Sequence, residues 1–390
     1  MIPLRRAWSQ LAAAALLIFA SAGFAAGPEK ALSGVLEAIE VNRLDLAMQR
    51  VEALIAAHPN FRLAHLIRGD LLFARGRPLE TFGNVPKTVP REKVEDLRAE
   101  ALSRLRALRD RPNADLVPRY MLQLHSDQKH ALVVDSRRSR LYVFENVGGR
   151  PQFIADYYVT LGKNGIEKTR EGDQKTPIGV YHVTANLPRQ KLSDFYGAGA
   201  YPINYPNAWD KRLGRNGHGI WLHGTPSDTY SRPPRASDGC IVLANADLEA
   251  VGRTVQIGLT PVIIADEIEW TDATALESER KGLAGAFDAW RADWESRDTG
   301  KYLTHYAARF NSGEQDLAAW SEHKRKVNGA KSWIKVAVSR LAMLQYPRES
   351  FVVVSFNQDY RSSNLSNVMR KRQYWIKEDG RWQILYEGGE

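Results

Sequence analysis

The chain has 390 residues, 44% of them apolar and 25% charged, with 29 Gly and 18 Pro. That composition excludes wholesale disorder, a collagen-like repeat and a polytopic membrane protein, and the length suits two or three domains that each bury a core. The formal net charge of +9 fits an acidic partner without choosing among nucleic acid, anionic lipid and a carboxylate-rich polymer, and the single cysteine, Cys240, cannot form an internal disulfide.

Residues 1–26 read as a secretory signal peptide. Arg5 and Arg6 form a basic start, residues 11–20 an apolar run, and Ser21, Ala22, Gly23 and Ala25 a small-residue cleavage region. The apolar run is too short for a comfortable membrane span, so contact with a membrane is expected only through an uncleaved signal. No cysteine lies at the cut, which excludes a lipoprotein. The expected location is the periplasm, and export argues against nucleic acid as a partner.

The mature chain reads as a multi-domain α+β protein: an N-terminal helical segment, a mostly-β middle and a C-terminal α+β domain. To this, resemblance to known families adds a catalytic role for the middle and a cone-shaped fold for the tail. Residues 27–125 read as a helical N-terminal region, with helices expected over about 29–110 and a boundary at Pro112 and Pro118, because Leu32, Val35, Leu36 and Ile39 keep a 3.6-residue period, as do Leu44, Met48, Val51, Leu54 and Ile55. His58-Pro59-Asn60 breaks the pattern before the run 61–75, giving a pair of helices that weakly resembles one tetratricopeptide unit. Over 128–266 the period shortens. Residues 131–134 and 141–144 flank a polar turn as a hairpin, and further strands are expected at 153–161, 178–184, 219–223 and 261–265. The Gly-, Pro- and Tyr-rich stretch 195–219 reads as loops around a site. Asn245 has the chemistry of a helix N-cap, with Asp247 suited to the first turn. Residues 277–390 read as a separate domain, opening with an amphipathic helix over 283–294 and continuing mostly as strands.

The chemistry concentrates on Cys240. A thiol attacks as the thiolate, and a nearby imidazole is the usual means of generating one near neutral pH. His223 ends an apolar strand, and Cys240 follows after a loop long enough to fold back. Gly239 would let a substrate carbonyl approach the backbone, and the N–H groups of Gly239 and Cys240 would then form an oxyanion hole. Taken alone, these residues equally fit a buried structural thiol and a satisfied strand-end histidine.

His223-Gly224 followed by Ser237-x-Gly239-Cys240 resembles the signature of the YkuD-type L,D-transpeptidases. Gly162-Lys163 leading into Glu171-Gly172-Asp173-Gln174-Lys175-Thr176-Pro177-Ile178-Gly179 resembles a second segment of that family, and Tyr205-Pro206-Asn207 with residues 219–224 a third. The resemblance covers residues 128–266. It implies acyl transfer on peptidoglycan: Cys240 would attack the carbonyl of the third residue of a tetrapeptide stem, of the meso-diaminopimelate type, and release the terminal D-alanine. His223 would take the thiol proton while the Gly224 carbonyl holds its other nitrogen. The acceptor is an amine or, in a carboxypeptidase that trims tetrapeptide to tripeptide, water.

Two positions depart from the family's common pattern, Asp238 where histidine is common and Val242 where arginine is common. An anion beside the thiol disfavours the thiolate. Arg232 and Arg235, on the preceding loop, are candidates to replace the missing substrate contact, and Ser237 and Tyr205 are further substrate-binding candidates. The tail resembles the nuclear-transport-factor-2-like domain attached to some YkuD enzymes, including cell-shape-determining carboxypeptidases. Its aromatics read as core rather than ligand pocket. Neither a metal nor a cofactor is expected: His218, His223 and Cys240 lack a complete zinc-ligand set. The rival reading is a non-catalytic envelope binding protein, and the oligomeric state stays open.

Overall fold

The structure is a computed structural model that describes residues 28–389 apart from 87, 111, 114 and 314. The signal-peptide assignment, on residues 1–26, lies outside the described residues, among which no helix is long and apolar enough to cross a membrane. Four helices come first: α1 (Pro28–Glu40), α2 (Leu44–Ala57), α3 (Arg62–Ala74) and α4 (Arg91–Arg109). Most of the periodic residues do what their spacing predicts, Leu32, Val35, Met48, Val51 and Leu54 joining Phe61, Leu63 and Ile67 in a small apolar core, whereas Leu44 is exposed. Helix α4 is different. It is polar along most of its length, yet buries Glu100 and Arg104.

The last of these helices ends at Arg109, close to where the helical pattern stops in the sequence. Leu116–Pro118 is a strand paired antiparallel with Trp270–Asp272, and Met121–Gln123 joins the edge of the C-terminal sheet beside Ile334–Gln345. These short strands carry no periodicity of their own. Their pairing partners, more than 150 residues away, decide their conformation.

The middle of the chain forms a five-stranded sheet in the order Arg150–Tyr158, Arg140–Val147, His130–Asp135, Pro261–Ala265 and Gly179–His182. A four-stranded sheet runs Ile241–Val242, Trp221–His223, Gly199–Pro202 and Leu187–Pro188. Leu132, Val134, Leu141, Tyr181, Leu222, Ile241, Val262 and Ile264 share one buried cluster within this region. The stretch 195–219 is more ordered than expected, containing the strand Gly199–Pro202 and the helix Ala208–Arg212, which Asn207 and Asp210 start with a reciprocal capping box. Asn245 does begin a helix, Asn245–Gly252, but does not cap it. Its amide accepts from the Ala198 N–H at 2.8 Å and donates to the Thr225 carbonyl at 2.9 Å, tying two loops together.

The C-terminal part wraps a seven-stranded sheet around Ala273–Ser296, with Trp290, Phe287 and Trp375 fully buried between them. Its aromatics are core residues, as their pattern suggests. The tail is not a separately packed unit, however. Trp209 of the middle region stacks edge-on against Phe351 at 4.6 Å and Tyr374 at 5.5 Å, and its indole N–H donates to Glu349 at 3.1 Å. Val133, Phe144, Ile263, Leu344, Phe351 and Ile376 belong to one shared cluster. The sequence hides this because each half is patterned well enough to look self-sufficient.

Phe351→Ala is therefore expected to lower stability by about 3–5 kcal/mol, the usual cost of emptying a fully buried aromatic site. The loss should appear in one cooperative transition that includes the middle region. Two separate calorimetric transitions, with only the later-sequence one displaced, would count against a shared core.

Candidate active site

The strand Trp221–His223 lies inside the four-stranded sheet, parallel to Ile241–Val242 with Leu222 opposite Ile241 and His223 opposite Val242. Cys240 immediately precedes the partner strand, so the parallel register sets the thiol alongside the strand that ends in the histidine. Sγ is half-buried and donates to the Gly219 carbonyl at 3.3 Å. Burial pushes the thiol up to about 11, and the Asp238 charge acts in the same direction; the Trp221 N–H, Arg232 and Lys168 oppose them. Asp238 is itself paired with Lys163 at 3.0 Å.

His223 is buried, and its Nδ1 lies 2.7 Å from the Gly224 carbonyl. A carbonyl only accepts, so Nδ1 carries the proton and Nε2 keeps its lone pair. Burial lowers the imidazole to about 4, and Arg232 adds to the depression while the Gly224 carbonyl resists it. The rings of Tyr196 and Phe195 stand 5.1 and 5.7 Å from the imidazole, and the Tyr196 carbonyl takes the Gly224 N–H at 3.0 Å. A side chain on Gly224 would collide with the Asn245 amide and the Ala198 N–H, so only glycine lets this turn hold the histidine. The resting arrangement is a neutral thiol with a neutral imidazole of fixed tautomer. Burial thus favours neutral forms of both groups rather than a preformed thiolate–imidazolium pair, and the hydrogen bond that Sγ makes here is to the Gly219 carbonyl, not to His223.

The remaining candidates divide. Arg232 is half-buried, 4.8 Å above the Phe195 ring, and its charge acts on both the thiol and the imidazole. Arg235 is exposed on a strand paired with Leu161–Gly162 and faces Gly165 and a recess beside α4; Lys168 joins Arg232 in acting on the thiol. Lys168 is buried, paired with Asp173 at 2.8 Å. An isolated loop lysine offers no periodic signal by which to find it. Phe195 and Tyr196 are also new as individual residues, although the stretch that holds them was legible as loops around a site.

Gly239, Ser237 and Tyr205, expected to contact substrate, are each engaged within the protein itself. The Gly239 N–H donates to Ser237 Oγ at 3.1 Å, so it is not free for an oxyanion; of the two proposed donors that leaves the Cys240 N–H. Gly239 sits at φ +123°, and a Cβ there would lie 2.7 Å from the Lys175 carbonyl, which shows that close packing of the protein itself demands the glycine. Ser237 Oγ donates to the Cys240 carbonyl at 2.7 Å and closes the turn. Tyr205 is buried, its hydroxyl bonded to the Asn216 carbonyl at 3.1 Å. Thr176, from the second motif, accepts from the Gly162 N–H and donates to the Gly239 carbonyl at 3.0 Å, joining the two motifs behind the thiol.

Residues 129–264 match the family model YkuD, the L,D-transpeptidase catalytic domain, and residues 283–388 match the Cds6 C-terminal NTF2-like domain. The chain thus carries a YkuD-type L,D-transpeptidase catalytic domain joined to an NTF2-like domain. Among curated proteins it is similar to YafK of Escherichia coli (strain K12), described as a candidate L,D-transpeptidase, at 26% identity over 137 residues, 35% of this chain. The chain spans about half the length of the curated relatives it matches. Among solved structures it is similar to Bd1075 of Bdellovibrio bacteriovorus, with 29% identity and TM-score 0.61 over 70% of this chain and 98% of that one. It is also similar to the helical cell shape determining protein Pgp2 of Campylobacter jejuni, with 25% identity and TM-score 0.60 over 70% of this chain and 95% of that one.

Proposed function

We propose that the protein is an exported, periplasmic thiol acyltransferase acting on peptidoglycan tetrapeptide stems. The observation that carries this reading is the fixed tautomer of His223, which leaves Nε2 basic on the strand beside Cys240. Sγ attacks the carbonyl of the diaminopimelate-type third residue as its proton passes to Nε2, and the carbon–sulfur bond forms. The tetrahedral intermediate collapses, the carbon–nitrogen bond breaks, and Nε2 returns the proton to the departing D-alanine amine. An amine or water then releases the thioester. The YkuD match supports the reaction class, and likeness to Pgp2, named for cell shape, supports a role in shaping the wall.

Water is the favoured acceptor. Val242 is buried in the sheet, Asp238 is held by Lys163, and Arg235 faces elsewhere, so of the two loop arginines only Arg232 remains to hold an anionic acceptor stem. Incubating purified protein with tetrapeptide muropeptides and excess diaminopimelate-bearing acceptor, with mass spectrometry as readout, tests both points. Loss of one D-alanine to give tripeptide alone is expected. A 3–3 cross-linked dimer would overturn the hydrolytic reading, and no release of D-alanine would overturn the reaction class.

A further inference from the structure

The loop that connects His223 to Cys240 is fastened to the N-terminal helices at several points. The Tyr230 ring packs against Phe61 at 4.2 Å and His58 at 5.0 Å, at the α2–α3 junction. Ser231 Oγ donates to the Glu100 carboxylate of α4 at 2.7 Å, and the Asn60 amide donates to the Ser227 carbonyl at 3.1 Å. The next residue is Arg232, whose carbonyl accepts from both Tyr158 and Thr160 hydroxyls at 2.9 Å. Tyr158 is in turn covered by the Arg104 guanidinium at 3.9 Å, and Arg104 holds Glu100 and Glu29, while Arg140 pairs with Glu29 and Asp156. A buried ionic network is costly as a device for stability alone, because each charge must be desolvated. Here its outer edge ends on the loop beside the thiol.

We propose that the N-terminal helical region is a positioning element for this loop, with Tyr230 and the Glu100–Ser231 contact fixing Arg232 beside Cys240 and His223. Tyr230, Ser231 and Glu100 act through Arg232 and touch neither reacting group. The charges that act on the thiol are Arg232, Lys168 and Asp238, the last two already neutralised by Asp173 and Lys163. That leaves Arg232, whose guanidinium lies 4.8 Å over the Phe195 ring that in turn stands 5.7 Å from the His223 imidazole, as the remaining cation that favours the thiolate against the larger effect of burial. The proposal rests on Cys240 being the reactive thiol, but not on the identity of the substrate.

The test is the rate of Cys240 alkylation by iodoacetamide across pH in the full chain, followed by intact mass. Arg232→Gln is expected to slow alkylation roughly 3–10-fold at a given pH below the thiol pKa, as an upward shift of half to one unit requires. Tyr230→Ala and Ser231→Ala should each slow it in the same direction, by about 2–3-fold. Tyr230→Phe, which keeps the ring, should match the parent. In the Arg232→Gln background, Tyr230→Ala should add nothing, since both act through one group. If Tyr230→Ala fails to fold, Ser231→Ala decides the matter. Slow alkylation in Arg232→Gln with parental rates in folded Tyr230 and Ser231 variants would overturn the positioning role alone, as would additivity in the double variant. Parental rates in Arg232→Gln itself would overturn it together with the assignment of a field-tuned thiol. Loss of D-alanine release with these rates behaving as expected would instead tell against the substrate.

Discussion

Cys240→Ala is expected to abolish D-alanine release from tetrapeptide stems, lowering turnover by at least about 10⁴-fold, while the melting temperature stays within a few degrees of the parent. The two halves of this expectation have separate grounds. Chemically, Cys240 is the chain's sole thiol, and without sulfur no thioester forms. Structurally, the side chain is half-buried and makes one hydrogen bond, to the Gly219 carbonyl at 3.3 Å. A neutral contact of that length is worth about 1 kcal/mol or less, so its removal leaves the fold nearly intact. Ser237 continues to close the turn through the Cys240 backbone carbonyl, which alanine retains. Retained turnover in the variant would refute thiol chemistry. Loss of folding would mark Cys240 as a structural thiol.

The residues of the candidate site divide sharply by how they could be read. Cys240 and His223 are legible as candidates because the proposed thiol nucleophile and its base call for those residue types, in an order and spacing that the fold permits. The hairpin around residue 137 was legible because two apolar runs flank a polar turn. What stayed hidden depends on partners distant in the chain. Ser231 and Glu100 are 131 residues apart, and neither sits in a pattern that announces the other. Gly239 stands out in the sequence as a glycine beside the thiol, while only the Lys175 carbonyl and the Ser237 hydroxyl show what it accommodates within the protein. Trp209 looked like part of a loop because its burial is supplied by Phe351 and Tyr374 of the tail. Local patterning reports which face of an element is apolar, not which distant element will cover it.

His223→Ala is expected to reduce kcat/KM on tetrapeptide stems by about 10²–10⁴-fold near neutral pH. The reason lies in the resting protonation states. With the thiol raised to about 11 by burial, only about one molecule in 10⁴ carries a thiolate at pH 7, so turnover depends on a base that removes the proton during attack. The parental pH profile follows from the same imidazole. Protonation of Nε2 destroys the base, and a value lowered from 6.5 to about 4 keeps it competent as the solution becomes acidic. The acid limb of kcat/KM should therefore bend near pH 4, with little loss between pH 8 and pH 5 provided the fold holds. The variant should behave differently, its activity rising with pH in proportion to the thiolate, so that its deficit narrows toward pH 10. An acid limb near 6.5 in the parent would mean that the imidazole is solvated and titrates as an ordinary histidine during turnover. Equal kcat/KM in variant and parent at pH 7 would remove His223 from the reaction altogether.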